Sequence, residues 1–267
     1  MKWLLYIILS LLHLYASAQH DSSLQLMKVV GVEIADFTVD NLGNVFLINK
    51  ENQLKKLGPN FDSIGVFNDV RKFGKLYSID ATNPLKLLLY YKDFGTVVVL
   101  DRLLNTRTTV DLRQQNIFQA RAISQSFDNG IWVYDELDAK LKRLNEKGNI
   151  IDRSNDFRQI FDVLPSPVSI TDQDRLVYLY DPEKGLYIFD YFGNLKNKVT
   201  LLGWQDFQVV GPYIFGRKGD TFERYQPGTL SMQEQSLPIV LKDVEKIRIT
   251  LNRLYCLRNG SLYVYGL

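Results

Sequence analysis

Two short segments place carboxylates at a spacing that could do chemistry. "DELD" (Asp135 to Asp138) and "DPEK" (Asp181 to Lys184) carry two or three oxygen-bearing side chains within four positions. Such oxygens suit a hard cation like Ca²⁺, provided several converge on one point. Neighbouring residues of an extended loop point in alternating directions, which works against convergence, so solvated turn residues are the alternative reading. Histidine narrows the choice further. The chain holds two, His13 and His20, both in the first 20 positions. The rest therefore lacks the base for Ser-His-Asp or Cys-His catalysis and the imidazole for zinc or iron sites. "GKLYS" after Gly74 has neither the spacing nor the following helix of a phosphate-binding loop. No cofactor is called for, with Ca²⁺ the ion the acidic loops would take.

The N-terminus sets an expectation about compartment. Lys2 is a short positive segment, "WLLYIILSLLHLY" (Trp3 to Tyr15) an apolar core and "ASA" (Ala16 to Ala18) a small-residue ending. This is the pattern of a secretory signal peptide over residues 1–18. The apolar run falls short of the roughly 20 residues of a permanent anchor, and no later segment could span a bilayer as a helix. No Cys stands at the cleavage point, so a lipoprotein signal is not indicated. The Ala-Ser-Ala-Gln junction resembles those of exported Bacteroidetes proteins. The expected location is the periplasm, or an outer-membrane-associated or extracellular position.

About 249 residues, 19–267, are then left as a single domain. Cleavage removes Lys2 and no acid, so the formal charge falls from +2 to +1. Mixed charges near neutrality argue against a nucleic-acid partner, which calls for a basic stripe. Cys256 is the only cysteine. An intrachain disulfide is impossible, and in the strand-like "RLYCLRN" this residue reads as a buried apolar one.

The elements that must position these loops recur. "NVFLIN" precedes "QLKKL", "LKLLLYYK" precedes "GTVVVLD", and "GIWVYDE" precedes "AKLKRLN". "RLVYLYD" precedes "GLYIFDY", "PYIFGRK" precedes "DTFERYQ", and "RLYCLRN" precedes "SLYVYG". Equivalent strand ends fall at Asn49, Lys92, Asp135, Asp181, Lys218 and Arg258, an interval of about 40 residues, the length of a propeller blade. A short strand precedes each pair, and a fourth follows most of them. Gly and Asn in "DNLGN", "FDNG", "EKGN", "YFGN" and "RNGS" supply the positive φ of tight reversals. No convincing helix is visible; Asp156 to Leu164 has a weak helical look but reads better as a connection between blades.

The expected fold is all-β, a six-bladed β-propeller of four-stranded antiparallel blades. The sixth repeat ends after three strands. The apolar stretch "LQLMKVVGVE" (Leu24 to Glu33) is expected to supply its fourth, which removes two exposed edges.

"DFTVDNLGNVFLINKENQLKKLGPNFDSIGVF" resembles an NHL repeat of TolB-like six-bladed propellers. "SFDNGIWVYDELDAKLKRLNEKGNII" and "SITDQDRLVYLYDPEKGLYIFDYFGNL" are similar to it. The resemblance implies architecture, because such propellers serve as binding modules, scaffolds and a few hydrolases. Some lactonases among them hold a metal on carboxylates and an Asn near the central channel.

The loops between second and third strands differ in charge around the ring. Asp135, Glu136, Asp138, Asp181 and Glu183 make an acidic arc; Arg217, Lys218 and Arg258 make a basic one; Tyr91 and Lys92 stand between. If these ten line one mouth, they form a dipolar rim able to orient a partner. Aromatics on second and third strands, among them Tyr90, Trp132, Tyr134, Tyr180 and Tyr187, are expected to pack between blades, with Tyr91, Phe94 and Trp204 nearer loops. The expected function is an exported, non-catalytic binding or scaffolding module of the bacterial envelope. It would hold a protein partner, or alternatively a glycan, on one face. The other reading is a Ca²⁺-assisted lactonase or hydrolase that works without histidine. The leader makes a direct prediction: Edman sequencing of the protein exported by its native cell starts at Gln19, and a start at Met1 overturns the cleavage.

Overall fold

Apolar runs of five or six residues, broken by Asp, Asn and Gly turns, fold into twenty-four strands arranged as six four-stranded antiparallel sheets. They come from a computed structural model that describes residues 24–267 except Val32 and Leu230. The signal peptide expected over 1–18 lies outside the described residues, as do both histidines.

Strand β1 (Gln25–Val30) is the first element among the described residues. Blade 1 is β2 (Ile34–Val39), β3 (Val45–Asn49), β4 (Leu54–Leu57) and β5 (Ser63–Phe67). Blade 2 is β6 (Ser78–Asn83), β7 (Lys86–Tyr91), β8 (Thr96–Asp101) and β9 (Thr106–Asp111). Blade 3 is β10 (Ala120–Gln125), β11 (Ile131–Asp135), β12 (Lys140–Leu144) and β13 (Ile150–Arg153). Blade 4 is β14 (Ser169–Gln173), β15 (Leu176–Asp181), β16 (Gly185–Asp190) and β17 (Leu195–Val199). Blade 5 is β18 (Gln205–Val210), β19 (Tyr213–Lys218), β20 (Thr221–Tyr225) and β21 (Met232–Ser236). Blade 6 is β22 (Lys246–Ile249), β23 (Arg253–Arg258) and β24 (Ser261–Gly266), completed by β1.

The six first strands, β2, β6, β10, β14, β18 and β22, each contact the next, and β22 contacts β2. They surround the channel of a six-bladed β-propeller. β1 pairs antiparallel with β24, from Gln25 opposite Gly266 to Val30 opposite Leu262. The stretch expected to close the ring does so. A one-turn helix, α1 (Val70–Phe73), links blades 1 and 2. The weakly helical stretch after Asp156 is a connection between blades with a 3₁₀ turn at Phe157–Gln159. Among the described residues no helix is long and apolar enough to cross a membrane.

Second strands are covered on both faces, so they run apolar without alternation. β7 and β11 are buried at every position. Outer strands lose this cover: β21 is exposed throughout. The expected aromatics fill the gaps between blades. Phe157 stacks on Phe189 at 5.0 Å and 2° and lies 5.6 Å from Tyr134. Cys256 is fully buried, and burial pushes its thiol up to about 11.

A repeated polar device ties each blade to the next. Tyr90, Tyr134 and Tyr180 are the penultimate residues of β7, β11 and β15. Their hydroxyls donate to the carbonyls of Ala120 at 2.8 Å, Pro165 at 3.0 Å and Trp204 at 3.1 Å. Each carbonyl lies at the entrance to the following blade. Trp204 also donates its backbone N–H to Tyr180 Oη at 2.7 Å. The opposite end of the blades is sealed by side-chain turns. Asp40, Asp101 and Asp190 each accept backbone N–H groups two and four residues on, and the amide of Asn44, Asn105 or Asn194 closes the loop.

Gly216 in β19 shows how tightly blades 4 and 5 meet. A Cβ there would stand 2.2 Å from Trp204 Cε3 and 2.3 Å from Cδ2. The indole cannot retreat, since Tyr180 holds its backbone and its Nε1–H donates to Glu223. Gly216→Ala is expected to lower stability by about 1–3 kcal/mol through overpacking, read as a fall in the urea midpoint at constant slope. An unchanged midpoint overturns this account of the interface.

Candidate functional site

The turns between second and third strands and the connections between blades lie at the same end of the ring, as a four-stranded meander requires. Backbone hydrogen bonds knit them together: Glu136 N–H to Gln119 O at 2.9 Å, Val168 N–H to Tyr180 O at 2.9 Å, Gly203 N–H to Pro182 O at 2.7 Å. All ten residues of the expected rim belong to this end.

Their surroundings differ sharply. Asp135 is 1 % exposed. Its Oδ2 meets Lys142 Nζ at 2.6 Å, and its Oδ1 accepts the N–H groups of Leu137 and Asp138. Asp138, half exposed, meets the same ammonium at 2.6 Å, and that hydrogen bond holds its carboxyl below the usual range. Asp181 is buried and accepts N–H groups from Ser166 at 2.7 Å and Glu183 at 2.8 Å, with Lys184 Nζ at 3.2 Å. Burial pushes its carboxyl up, but these donors outweigh it and keep the carboxyl low. Glu136 accepts from Ser166 Oγ at 2.8 Å.

Tyr91 is buried against Phe73 at 5.2 Å, and burial raises its hydroxyl. Arg217 is buried on Asp206, Nε to Oδ2 at 2.8 Å. It stands at the penultimate position of β19, where Tyr90, Tyr134 and Tyr180 stand in their blades. Its Nη2 likewise reaches the carbonyl of Glu245 at the entrance to the next blade, at 3.4 Å. Lys92, Glu183 and Lys218 are exposed. Arg258 is half-buried, its guanidinium over the Tyr263 ring at 4.6 Å. Of the ten, then, Asp135, Asp181, Arg217 and Tyr91 face inward, and the surface charge falls to the other six.

Among the described residues no group of three His, Cys, Asp or Glu side chains comes together to hold a metal ion. Where a cation could sit between Asp135 and Asp138, the ammonium of Lys142 already does. Trp204, expected near a loop, is buried.

Two features are more prominent than the sequence suggested. The first is an apolar arc over blades 2 and 3. Tyr77, Phe94, Phe118 and Leu137 are 48 %, 50 %, 60 % and 59 % exposed. Short contacts hold the segments that carry them. Lys92 Nζ lies over the Tyr77 ring at 4.7 Å. Arg113 reaches back to the carbonyl of Asp93 at 2.8 Å, beside Phe94. The bond from Glu136 to Gln119 sets Leu137 beside Phe118. The second is polar: Asp36, Asp206, Gln208, Lys246 and Arg248 on the first strands of blades 1, 5 and 6. The signal for it was in the sequence, since "KIRITL" puts charges at alternate positions of a strand that lines the channel.

No known family profile matches the chain, and no curated protein matches it. Solved structures do. A streptogramin B lyase superimposes with a TM-score of 0.62 at 12 % identity, over 92 % of this chain and 86 % of the other. The WD40 domain of Neurospora crassa Pan2 gives 0.67 at 10 % identity, over 91 % and 95 %. A catalytically inactive histidine-to-alanine form of Staphylococcus aureus virginiamycin B lyase, with quinupristin, gives 0.59 at 12 % identity, over 89 % and 81 %. At these identities the likeness is one of fold, shared by lyases and a WD40 domain alike.

The carboxylates on Lys142, together with Asp181, make two predictions. Lys142 keeps the half-exposed Asp138 when Asp135 is removed, so Asp135→Ala should cost less than the about 3–5 kcal/mol of a fully stranded buried charge, and adding Lys142→Met should recover most of the loss of urea midpoint. Asp138 and Asp181 titrate lower in the folded chain than in the unfolded one. Their stabilisation is therefore full above the ordinary carboxylate range and lost as pH falls through their folded values. The wild-type midpoint should drop below about pH 4, with a shallower drop in Asp138→Asn.

Proposed function

We infer that this chain is a non-catalytic binding module of the bacterial cell envelope, which holds a protein partner on the end of the propeller formed by the second-to-third-strand turns. The observation that carries this reading is the arc of Tyr77, Phe94, Phe118 and Leu137. Four large apolar side chains, about half exposed, stand on the turns and connections of two adjacent blades with Lys92, Arg113 and Glu136 on the same segments. An apolar centre with a charged border is the composition of a protein-binding surface. The long connections that carry it are also the part of a propeller freest to vary. The leader over 1–18 supports the envelope, and the junction at Gln19 supports a bacterial one.

The hydrolase alternative has less to stand on. A carboxylate-held Ca²⁺ would need oxygens that Asp135, Asp138 and Asp181 give to Lys142, Lys184 and loop amides.

The test uses the tagged protein in its native cell, crosslinked in place, with recovered partners counted by mass spectrometry. Phe118→Asp combined with Leu137→Asp should cut recovery of a stoichiometric partner at least tenfold. The same change at Leu42 and Phe192, exposed turn residues at the opposite end, should leave it intact. The reverse pattern, or equal recovery from both variants, overturns the assignment of the face.

A further inference from the structure

Where the first strands of blades 5, 6 and 1 meet, the charges do not balance. Asp206 on β18 is taken by Arg217 at 2.8 Å, and Asp36 on β2 by Lys246 on β22 at 2.5 Å. Arg248, two residues further along β22, is left over. Its Nη1 donates to the carbonyl of Ile247 at 3.2 Å, and among the described residues no carboxylate lies within salt-bridge distance of it. The two carboxylates that act on it from further away are Asp206 and Asp36, on the strands flanking β22 on either side. Arg248 belongs to one of the six first strands that surround the channel, with β18 and β2 on either side of it. It is half-buried. Burial draws its guanidinium below the ordinary value, against those two carboxylates.

A donor on the neighbouring strand β18 is unmet. Gln208 on β18 accepts the N–H of Ile249 through Oε1 at 3.0 Å, which fixes its amide on β22 at the residue after Arg248. Its Nε2 is buried and has no acceptor. A buried donor left unpaired costs stability, and a desolvated guanidinium costs more. A cation without a counter-charge on β22 and an unmet amide donor on β18 lack one thing, an acceptor that enters through the channel.

The geometry points to a carboxylate-binding site in the channel, where Arg248 and Gln208 together donate to a singly charged carboxylate. The planar fork of a guanidinium matches the two oxygens of that group. One surplus positive charge suits a monoanion. A phosphate dianion would bring a second negative charge up to Asp36 and Asp206. The carboxylate can come from a small organic acid or from the C-terminal end of a peptide. This site is independent of the partner surface above, which lies over blades 2 and 3.

Isothermal calorimetry and thermal melts on the mature protein decide it, at ionic strength held constant with chloride. The probes are butyrate, N-acetyl-alanyl-alanine, the C-terminal amide of that dipeptide, and inorganic phosphate. Butyrate or the dipeptide acid should bind saturably and raise the melting temperature by about 3 °C at ten times its Kd. The amide should not bind. Arg248→Gln should abolish the shift while its ligand-free melting temperature stays at or above that of the wild type. Dipeptide acid at least tenfold tighter than butyrate identifies a peptide end; equal affinity identifies a small acid. The site is overturned by no saturable carboxylate binding, by equal binding of the amide or tighter binding of phosphate, or by unchanged binding in Arg248→Gln. A lower ligand-free melting temperature in that variant also overturns it, because it would make Arg248 a structural residue.

Discussion

Everything in this molecule depends on each blade having two apolar faces. A sheet such as β6–β9 is buried on both sides at Leu87, Leu88, Leu89 and Tyr90, and no single layer can cover both. Only a neighbouring blade on each side satisfies it, so the blades must form a ring and the ring must close. The pairing of β1 with β24 is the consequence. Without it, β24 would present an unpaired edge and blade 6 would lose its fourth strand. Closure also fixes what lies at the ends: tight carboxylate-locked turns on one side, long connections on the other, and a channel whose lining is whatever the first strands carry.

That constraint explains how unevenly the sequence could be read. Fold was legible because strand, turn and repeat are local signals. "DNLGN" spells out its own turn, since Asp40 accepts the N–H groups that follow it and Asn44 closes the loop. Blade count followed from spacing, and closure from an apolar stretch that preceded the first repeat. The rim was only half legible. Sequence places Asp135 and Glu136 in one loop and Asp181 and Glu183 in another, but not which of each pair turns inward. That is decided by partners distant in the chain or across the strand: Lys142 on β12 for Asp135, the N–H of Ser166 from the preceding connection for Asp181. The first Asp of each loop closes the turn from inside, so the following acid is the more exposed one. Tyr91 was misleading for a similar reason. It borders a loop, yet α1 folds Phe73 over it.

The tyrosine at the penultimate position of the second strand is the informative repeat. In blades 2, 3 and 4 its hydroxyl fastens the entrance to the next blade while its ring fills the gap between them. Such a group satisfies a buried carbonyl without bringing in charge, which is why it can be repeated at little cost. A single-residue motif of this kind is invisible until the blades are aligned on their strand ends. Once aligned, it separates the regular half of the ring from the irregular half.

Blade 5 departs from that rule, and the departure propagates. Arg217 replaces the tyrosine and still reaches the next entrance at Glu245, but a buried guanidinium needs a counter-charge that a phenol does not. It takes Asp206. Lys246, at the start of the neighbouring first strand, occupies Asp36 from the other side. Two cations thus use both carboxylates that flank β22, and Arg248 between them is left facing the channel. A structural substitution in one blade thereby creates an unbalanced charge in the next. The same physical requirement that makes the other junctions inert, a satisfied group at every blade entrance, makes this one reactive toward an anion from outside.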